Sequence, residues 1–152
     1  MESAKCLSRL QRLCSRAEYC RQDMYRKALK DMEGDADAAE RIVSRLVAER
    51  YVDDARYAAA FAREKSSLQG WGAVKIRFQL KGKGIADEDI RAALEEIDPE
   101  KAADKLDRLI AAKYRTLQGD PQCRLKLLKF ALSRGYEYAD VEAAVSRVLK
   151  GE

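Results

Sequence analysis

The chain has 152 residues, of which 47% are hydrophobic and 37% charged, with a formal net charge of +4 at pH 7. This composition is too apolar for a disordered chain and rich in residues that favour helices. No uncharged stretch approaches the ~20 residues that a membrane-spanning helix needs, and no segment resembles the apolar core of a signal peptide. We therefore expect a cytoplasmic helical protein with no membrane partner.

The residue types present also narrow the possible chemistry. The chain contains no histidine, which excludes Ser-His-Asp and Cys-His nucleophile systems and a histidine general base. Its four cysteines form no CxxC pair, so we expect free thiols and no metal site. The short run Gly70-Trp71-Gly72 lacks the third glycine and the strand of a dinucleotide-binding motif. Acidic residues cluster where helices should begin, so the sequence predicts a non-enzymatic protein without a cofactor.

Apolar periodicity and turn residues divide the chain into helical segments. In chain order, helices are predicted at 6–16, 19–31, 37–51, 54–68, 73–83, 87–97, 99–117, 121–134 and 139–150. Glycine, aspartate and proline, which are typical of turns, lie between these segments. Before the eighth segment, Asp120-Pro121 has the pattern of an N-cap followed by proline at the first helical position. The sequence therefore predicts an all-α protein.

Internal similarity groups the predicted helices in threes. Residues 84–94 align with residues 135–145 at an offset of 51, and residues 39–46 align with residues 87–94 at an offset of 48. We therefore predict three tandem three-helix repeats, at 1–52, 53–98 and 99–152. Because no linker is long enough to separate independent domains, we expect the repeats to form an elongated, curved helical array. We also expect the protein to be a monomer.

One segment conflicts with this pattern. Residues 74–81 alternate strictly between apolar and polar side chains, which is typical of a half-buried β-strand. The repeat places them opposite residues 125–132, whose leucines follow the spacing of a helix. No second convincing strand is available for pairing. We therefore predict a helix at this segment, with Gly84 as its C-cap.

The alternation then has a different meaning on this helix. Ile76 and Leu80 share one face, whereas Val74 and Phe78 lie on another face, away from them. A helix that is apolar on two sides is expected to pack against neighbours on both. Lys75 is expected to remain on the open side.

Charge varies periodically along the chain. Residues 56–86 and residues 108–134 each hold seven lysines and arginines against one acid, whereas residues 87–100 hold seven acids against one arginine. Helix dipoles explain the acids at helix starts, but they explain poorly the cations that lie early or midway in a helix. For any single lysine a solvated face is the simpler interpretation. For the set, we predict that equivalent helices align a basic ridge that binds an acidic protein surface or a phosphate backbone. The predicted ridge consists of Arg56, Lys75, Arg77, Lys81, Lys83, Arg124, Lys126 and Lys129.

Trp71, the only tryptophan, has two interpretations. Between two glycines, it can fill a helix–helix junction as an apolar anchor, or it can be an exposed anchor for a partner. We favour the first interpretation because large aromatic side chains are mostly buried.

Three segments of the second repeat carry a family resemblance. The runs YVDDARYA at 51–58, GWGAVKI at 70–76 and KGI at 83–85, with Phe61 and Leu80 between them, resemble the signature of the bacterial RecX regulatory proteins. The residues that carry this signature are Asp53, Asp54, Tyr57, Phe61, Gly70, Trp71, Gly72, Ile76, Leu80, Gly84 and Ile85.

The resemblance is strong over residues 50–94 and looser elsewhere, and Ala73 stands where the family commonly has proline. It implies a non-enzymatic regulator of the RecA recombinase, active in DNA repair, recombination and the SOS response. Such a protein binds along the RecA–DNA filament and mostly inhibits its ATPase and recombination activities. DNA within that filament is a second candidate contact.

Two further hypotheses stay open at this point. Three-helix units can present a recognition helix to DNA, so the chain can also be a direct DNA-binding module that acts without RecA. A helical scaffold with no binding role for its charges is the third hypothesis.

Overall fold

The computed structural model describes residues 1–151, and over this range the chain forms nine α-helices and no β-strand. The helices are α1 (Ser3–Arg16), α2 (Arg21–Asp31), α3 (Ala36–Ala48), α4 (Asp54–Ser67), α5 (Ala73–Gly82), α6 (Asp87–Glu95), α7 (Pro99–Arg115), α8 (Cys123–Ser133) and α9 (Tyr138–Leu149). The predicted all-α class is confirmed, and so is the helix at the alternating segment. Within the described residues, none of these helices has the length and apolar character needed to span a bilayer.

Aspartate side chains cap several of the helix starts, including those of α3 and α7. The Asp35 carboxylate accepts a hydrogen bond from the Ala38 N–H at the start of α3. At the start of α7, the Asp98 carboxylate accepts from the Glu100 N–H, and Pro99 occupies the first helical position. These caps satisfy backbone N–H groups that have no partner within the helix.

The predicted start of α8 at residue 121 was wrong by two residues. The Asp120 carboxylate accepts a hydrogen bond from the Gln122 N–H at 2.8 Å, and the Asp120 carbonyl accepts from the Cys123 N–H at 3.0 Å. These two bonds hold Pro121 and Gln122 in a turn, so the helix begins only at Cys123.

The described chain divides into two compact units, one with residues 1–60 and 80–92, the other with residues 61–79 and those from 93 onward. The core of the first unit contains Cys6, Leu10, Met24, Ala28, Ala39, Ile42, Val43, Leu46 and Val52. The core of the second unit contains Leu106, Ile110, Leu127, Ala131, Val141, Ala144 and Val145. The three predicted repeat boundaries stay a prediction, and the last predicted residue, Glu152, lies outside the described residues.

The middle helix of each predicted repeat buries a pair of residues four positions apart. These pairs are Met24 and Ala28 on α2, Ile76 and Leu80 on α5, and Leu127 and Ala131 on α8. Residues four apart lie on the same side of a helix, so each helix presents one apolar side to a core.

The predicted packing of α5 on two sides was wrong. Phe78 is 73% exposed and Val74 is 39% exposed, whereas Ile76 and Leu80 are fully buried. The residues of α5 therefore divide into one buried side and one solvent side. The alternation in the sequence marks these two sides, and it does not imply neighbours on both.

Two glycines of the second unit bring the start of α5 against the chain that follows α8. The Gly72 N–H donates to the Arg134 carbonyl at 2.7 Å, and the Val74 N–H donates to the Gly135 carbonyl at 2.9 Å. A Cβ atom on Gly72 would lie 2.4 Å from the Gly135 oxygen, and one on Gly135 would lie 2.2 Å from the Lys75 Cβ. Gly135 also has φ of +94°, which L side chains rarely adopt. Neither glycine can carry a side chain without moving the start of α5.

We expect the variant Gly72→Ala to lower the free energy of unfolding by about 2–4 kcal/mol, because the new methyl group would collide with backbone atoms that cannot rotate away. Urea denaturation followed by far-UV circular dichroism measures this loss. Gly82→Ala is the matched control, since Gly82 lies in α5 and a Cβ atom there would meet nothing within 4 Å. Alanine favours helices, so the control should be neutral or more stable by about 0.5 kcal/mol. Equal midpoints for the two variants would contradict the close contact.

Candidate partner-binding surface

The residues of the predicted basic ridge are distributed over both compact units. Arg56, Lys81 and Lys83 belong to the first unit. Lys75, Arg77, Arg124, Lys126 and Lys129 belong to the second unit. A cation that already holds an acid has less charge to offer a partner than one that does not.

Arg56 stabilises the turn before α4 through several hydrogen bonds. Its Nε atom donates to the Glu18 carboxylate at 2.5 Å, and its guanidinium also donates to the carbonyls of Arg50 and Tyr51 at 3.3 Å. The hydrogen bond to Glu18 raises the pKa of Arg56. Since its donors bind atoms of the chain itself, Arg56 stabilises the fold locally.

The two signature aspartates also have local structural contacts. The Asp53 carboxylate accepts from the Arg56 N–H at 3.0 Å and so caps the start of α4. The Asp54 carboxylate accepts from the Arg21 N–H at 2.8 Å, at the start of α2. Asp54 therefore connects two helices that lie 33 residues apart in the sequence.

Lys83 and Lys81 differ in how firmly they are held. The Lys83 Nζ atom lies 2.8 Å from the Asp23 carboxylate, and both side chains are partly buried. The Lys81 Nζ atom lies 3.6 Å from the Asp87 carboxylate, and both side chains are exposed. Exposed pairs at such distances contribute little to stability. Lys83 is thus part of the first unit's internal contacts, and Lys81 remains largely solvated.

In the second unit, Trp71 lies among an aromatic ring and two ammonium groups. The Phe61 and Trp71 ring centroids are 6.0 Å apart in an edge-to-face arrangement. The Nζ atoms of Lys65 and Lys75 lie 5.0 Å and 4.3 Å from the Trp71 ring centroid, respectively. Trp71 is half-buried, so its exposure is intermediate between that of a buried anchor at a helix junction and that of an exposed anchor for a partner. The predicted open position of Lys75 was wrong, because Lys75 is half-buried and its ammonium group lies over the indole.

The turn that carries Trp71 is fixed by a tyrosine from the third predicted repeat. The Tyr136 hydroxyl donates to the Gly70 carbonyl at 3.0 Å. Burial raises the pKa of Tyr136, so this hydroxyl stays protonated and can donate at neutral pH. Tyr136 and Gly135 are neighbours, and together they hold the glycine turn at both ends.

A cleft of about 700 Å³ lies beside Trp71 in the second unit. Its charged lining residues include both signs: Arg63, Lys101, Lys105, Arg108, Glu96, Asp98, Asp104, Glu137 and Asp140. Two of the cations are engaged, since Arg63 pairs with Glu96 at 3.4 Å and Lys105 donates to the Ser67 carbonyl at 3.3 Å. A cleft with such mixed charge does not favour a purely anionic ligand. The sequence carries no local signal for this cleft, because its walls come from distant segments.

Two of the three predicted ridge cations on α8 hold acids. Arg124 pairs with Glu142 at 2.7 Å and lowers the pKa of that carboxyl through its hydrogen bond. Lys126 pairs with Asp120 at 2.6 Å and lowers the pKa of that carboxyl in the same way. The third cation, Lys129, is exposed.

Arg77 and Lys129 are the ridge cations that remain unpaired. Both are exposed, and neither makes an ion pair with an acidic side chain of residues 1–151. A partner can approach these two cations without competing with an internal carboxylate. Exposure combined with the absence of an internal acid therefore identifies candidate contacts that charge counting alone could not select.

The cysteines and other potential metal ligands do not gather into a site in residues 1–151. All four cysteines are free, and no group of three or more potential metal ligands occurs there. Cys6 and Cys20 are buried, and burial raises the pKa of each thiol to about 11. These two thiols are therefore protonated at neutral pH and poor nucleophiles.

Comparisons with known proteins give a consistent result. Residues 53–94 match the family described as RecX, second three-helix domain. The chain is 32% identical over 135 residues to the regulatory protein RecX of Chromohalobacter salexigens. The aligned region covers 89% of this chain and 87% of that protein. It is 26% identical to the regulatory protein RecX of Clostridium tetani over 76% of this chain, but it spans only 54% of that longer protein. A crystal structure of regulatory protein RecX has a TM-score of 0.83 at 26% identity, covering 99% of this chain and 72% of that one.

We expect the variant Lys75→Met to lower the free energy of unfolding by about 0.5–1 kcal/mol, because it removes an ammonium group from the Trp71 ring while keeping an apolar stem. Urea denaturation followed by far-UV circular dichroism measures this effect. Lys81→Met is the control, since Lys81 lies 3.6 Å from an exposed carboxylate, that of Asp87, and its loss should change stability by less than about 0.3 kcal/mol. A control as destabilising as Lys75→Met would contradict a specific cation–π contribution.

Proposed function

Because this chain belongs to the RecX family of regulatory proteins, we propose that it is a non-enzymatic regulator that binds the RecA–DNA filament. Binding would lower the ATPase and recombination activities of RecA. The observation that carries this proposal is the 32% identity to a regulatory protein RecX over most of both chains. That relative is named a regulatory protein, and this chain contains no histidine for acid–base catalysis.

Charge supports a partner that is acidic. The helices α5 and α8 contain lysine and arginine but no aspartate or glutamate. Unpaired cations such as Arg77 and Lys129 raise the association rate with a negatively charged surface, whether protein or phosphate. A RecA–DNA filament offers both kinds of surface.

Direct DNA binding without RecA is the alternative, and the position of α5 argues against it. In a helix-turn-helix module, residues at the N-terminus of the recognition helix contact base edges in the major groove. At the N-terminus of α5, the N–H groups of Gly72 and Val74 bind the carbonyls of Arg134 and Gly135. The start of α5 is therefore covered by the chain's own backbone, which argues against α5 as a recognition helix. Together with the family assignment, this leads us to favour the filament as the target.

We expect purified protein to lower the DNA-dependent ATPase activity of RecA at near-stoichiometric or lower ratios. The measurement is a titration of the chain into preformed RecA filaments on single-stranded DNA, with filament length followed in parallel. Unchanged ATPase activity and unchanged filament length at saturating protein would refute the proposed function.

We expect the double variant Arg77→Glu with Lys129→Glu to raise the concentration for half-inhibition roughly tenfold, because unpaired cations would become repulsive acids. Lys5→Glu with Arg12→Glu is the matched control, since both residues are exposed on α1 outside the predicted ridge. Each double variant changes the net charge by the same amount, so bulk charge is held equal. Equal inhibition by wild type and both variants would support a scaffold whose ridge charges have no binding role.

A further inference from the structure

The solvent side of α5 carries a regular stripe of apolar and basic residues. Val74, Arg77 and Phe78 occupy positions i, i+3 and i+4, so they lie together on one side of the helix. Phe78 is 73% exposed and Val74 is 39% exposed, whereas Ile76, on the far side, is fully buried. Single exposed apolar residues are common, whereas exposed apolar residues that adjoin on one surface mark an interaction site more often.

The equivalent positions of α8 carry a second stripe of the same kind. At the repeat offset of 51, Val74 corresponds to Leu125 and Phe78 corresponds to Lys129. Leu125 is 46% exposed and Leu132, seven positions later, is 39% exposed, with Lys129 exposed between them. Both middle helices of the second unit therefore combine exposed apolar residues with an unpaired cation.

The chemistry of the stripes favours a protein over a nucleic acid as the partner. A single-stranded nucleic acid gains from stacking bases on aromatic rings, which only Phe78 offers on these two stripes. Val74, Leu125 and Leu132 are aliphatic and cannot stack in this way, but they gain from contact with apolar side chains. The cations Arg77 and Lys129, on helices without acids, favour an anionic group beside that apolar contact, and on a protein this group is a carboxylate.

We propose that the α5 stripe (Val74, Arg77 and Phe78) docks into an apolar groove with acidic edges on the partner protein, with Phe78 as the anchor. The spacing is that of an amphipathic helix that binds a groove through residues at i, i+3 and i+4. This inference rests on the proposed function, because it takes the RecA protein of the filament as the owner of the groove. The stripe on α8 offers a second contact of the same chemistry.

The test compares Phe78→Ala with Leu68→Ala. Both side chains are strongly exposed, but Leu68, at 78%, lies outside α5 and its stripe. Loss of the anchor should weaken cosedimentation with RecA filaments on single-stranded DNA about tenfold, whereas Leu68→Ala should stay within about twofold of wild type. Far-UV circular dichroism should be unchanged for both variants, because neither side chain contributes to a core. A third variant, Phe78→Leu, should keep most of the affinity, since an apolar groove accepts leucine but base stacking does not.

The outcomes separate the inference from the proposed function. Absence of cosedimentation for the wild type refutes the proposed function itself. A wild type that binds while Phe78→Ala binds equally well overturns only the α5 stripe. Weaker binding to single-stranded DNA without RecA, for both Phe78→Ala and Phe78→Leu, would assign the stripe to a nucleic acid and overturn the inference. Self-association that sedimentation detects in the wild type but not in Phe78→Ala would assign the stripe to a second copy and overturn it as well.

Discussion

The contact between the backbones of Gly72 and Gly135 determines where α5 begins, and the second unit's surface depends on it. The carbonyls of Arg134 and Gly135, which follow α8, accept hydrogen bonds from the N–H group of Gly72, just before α5, and from that of Val74 in its first turn. The partial negative charge at the end of one helix thus meets the partial positive charge at the start of another. A side chain on either glycine would separate these atoms. Both helix ends would then need other partners for their backbone groups.

That contact also fixes the surroundings of the signature residue Trp71. Trp71 precedes Gly72, and its turn is also held by the hydrogen bond from the Tyr136 hydroxyl to the Gly70 carbonyl. Lys75 lies one turn into α5, where its ammonium group covers the Trp71 ring. The buried side of α5 is therefore fixed at its start, and Arg77 and Phe78 are left facing solvent. The same close contact that stabilises the unit determines which side chains remain available to a partner.

Six of the predicted ridge cations separate into two groups by whether they hold an acid. Arg56, Lys83, Arg124 and Lys126 hold carboxylates at 2.5 to 2.8 Å, so they contribute to local structure. Arg77 and Lys129 hold no acid within the described residues and lie beside exposed apolar side chains. A count of charges cannot distinguish these six cations from one another. The arrangement of their neighbours is the reason that partner recognition is proposed for the second group.

The sequence predicted the helices well because apolar periodicity and turn residues depend only on residues close together in the chain. The helical state of α5 was predicted from the repeat, since its own alternation indicated a strand. Periodicity identifies the sides of a helix but not their neighbours, so the exposure of Phe78 could not be predicted. Two of the ion pairs were missed because their partners are remote in the sequence: Arg56 and Glu18 are 38 residues apart, and Lys83 and Asp23 are 60 residues apart. The contact between Gly72 and Gly135 was missed for the same reason, because the two glycines are far apart in the sequence. The available signal was the pair of glycine-containing segments, Gly70-Trp71-Gly72 and Gly135-Tyr136.

Photocrosslinking from position 78 tests the central claim most directly. The aromatic residue there can be replaced with p-benzoylphenylalanine, which keeps an apolar ring on the exposed side of α5. The account predicts that irradiation in the presence of filaments attaches the chain to RecA protein, and that the same group at position 68 attaches far less. Crosslinks from position 78 that lead only to DNA, only to a second copy of the chain, or to no partner at all would contradict it.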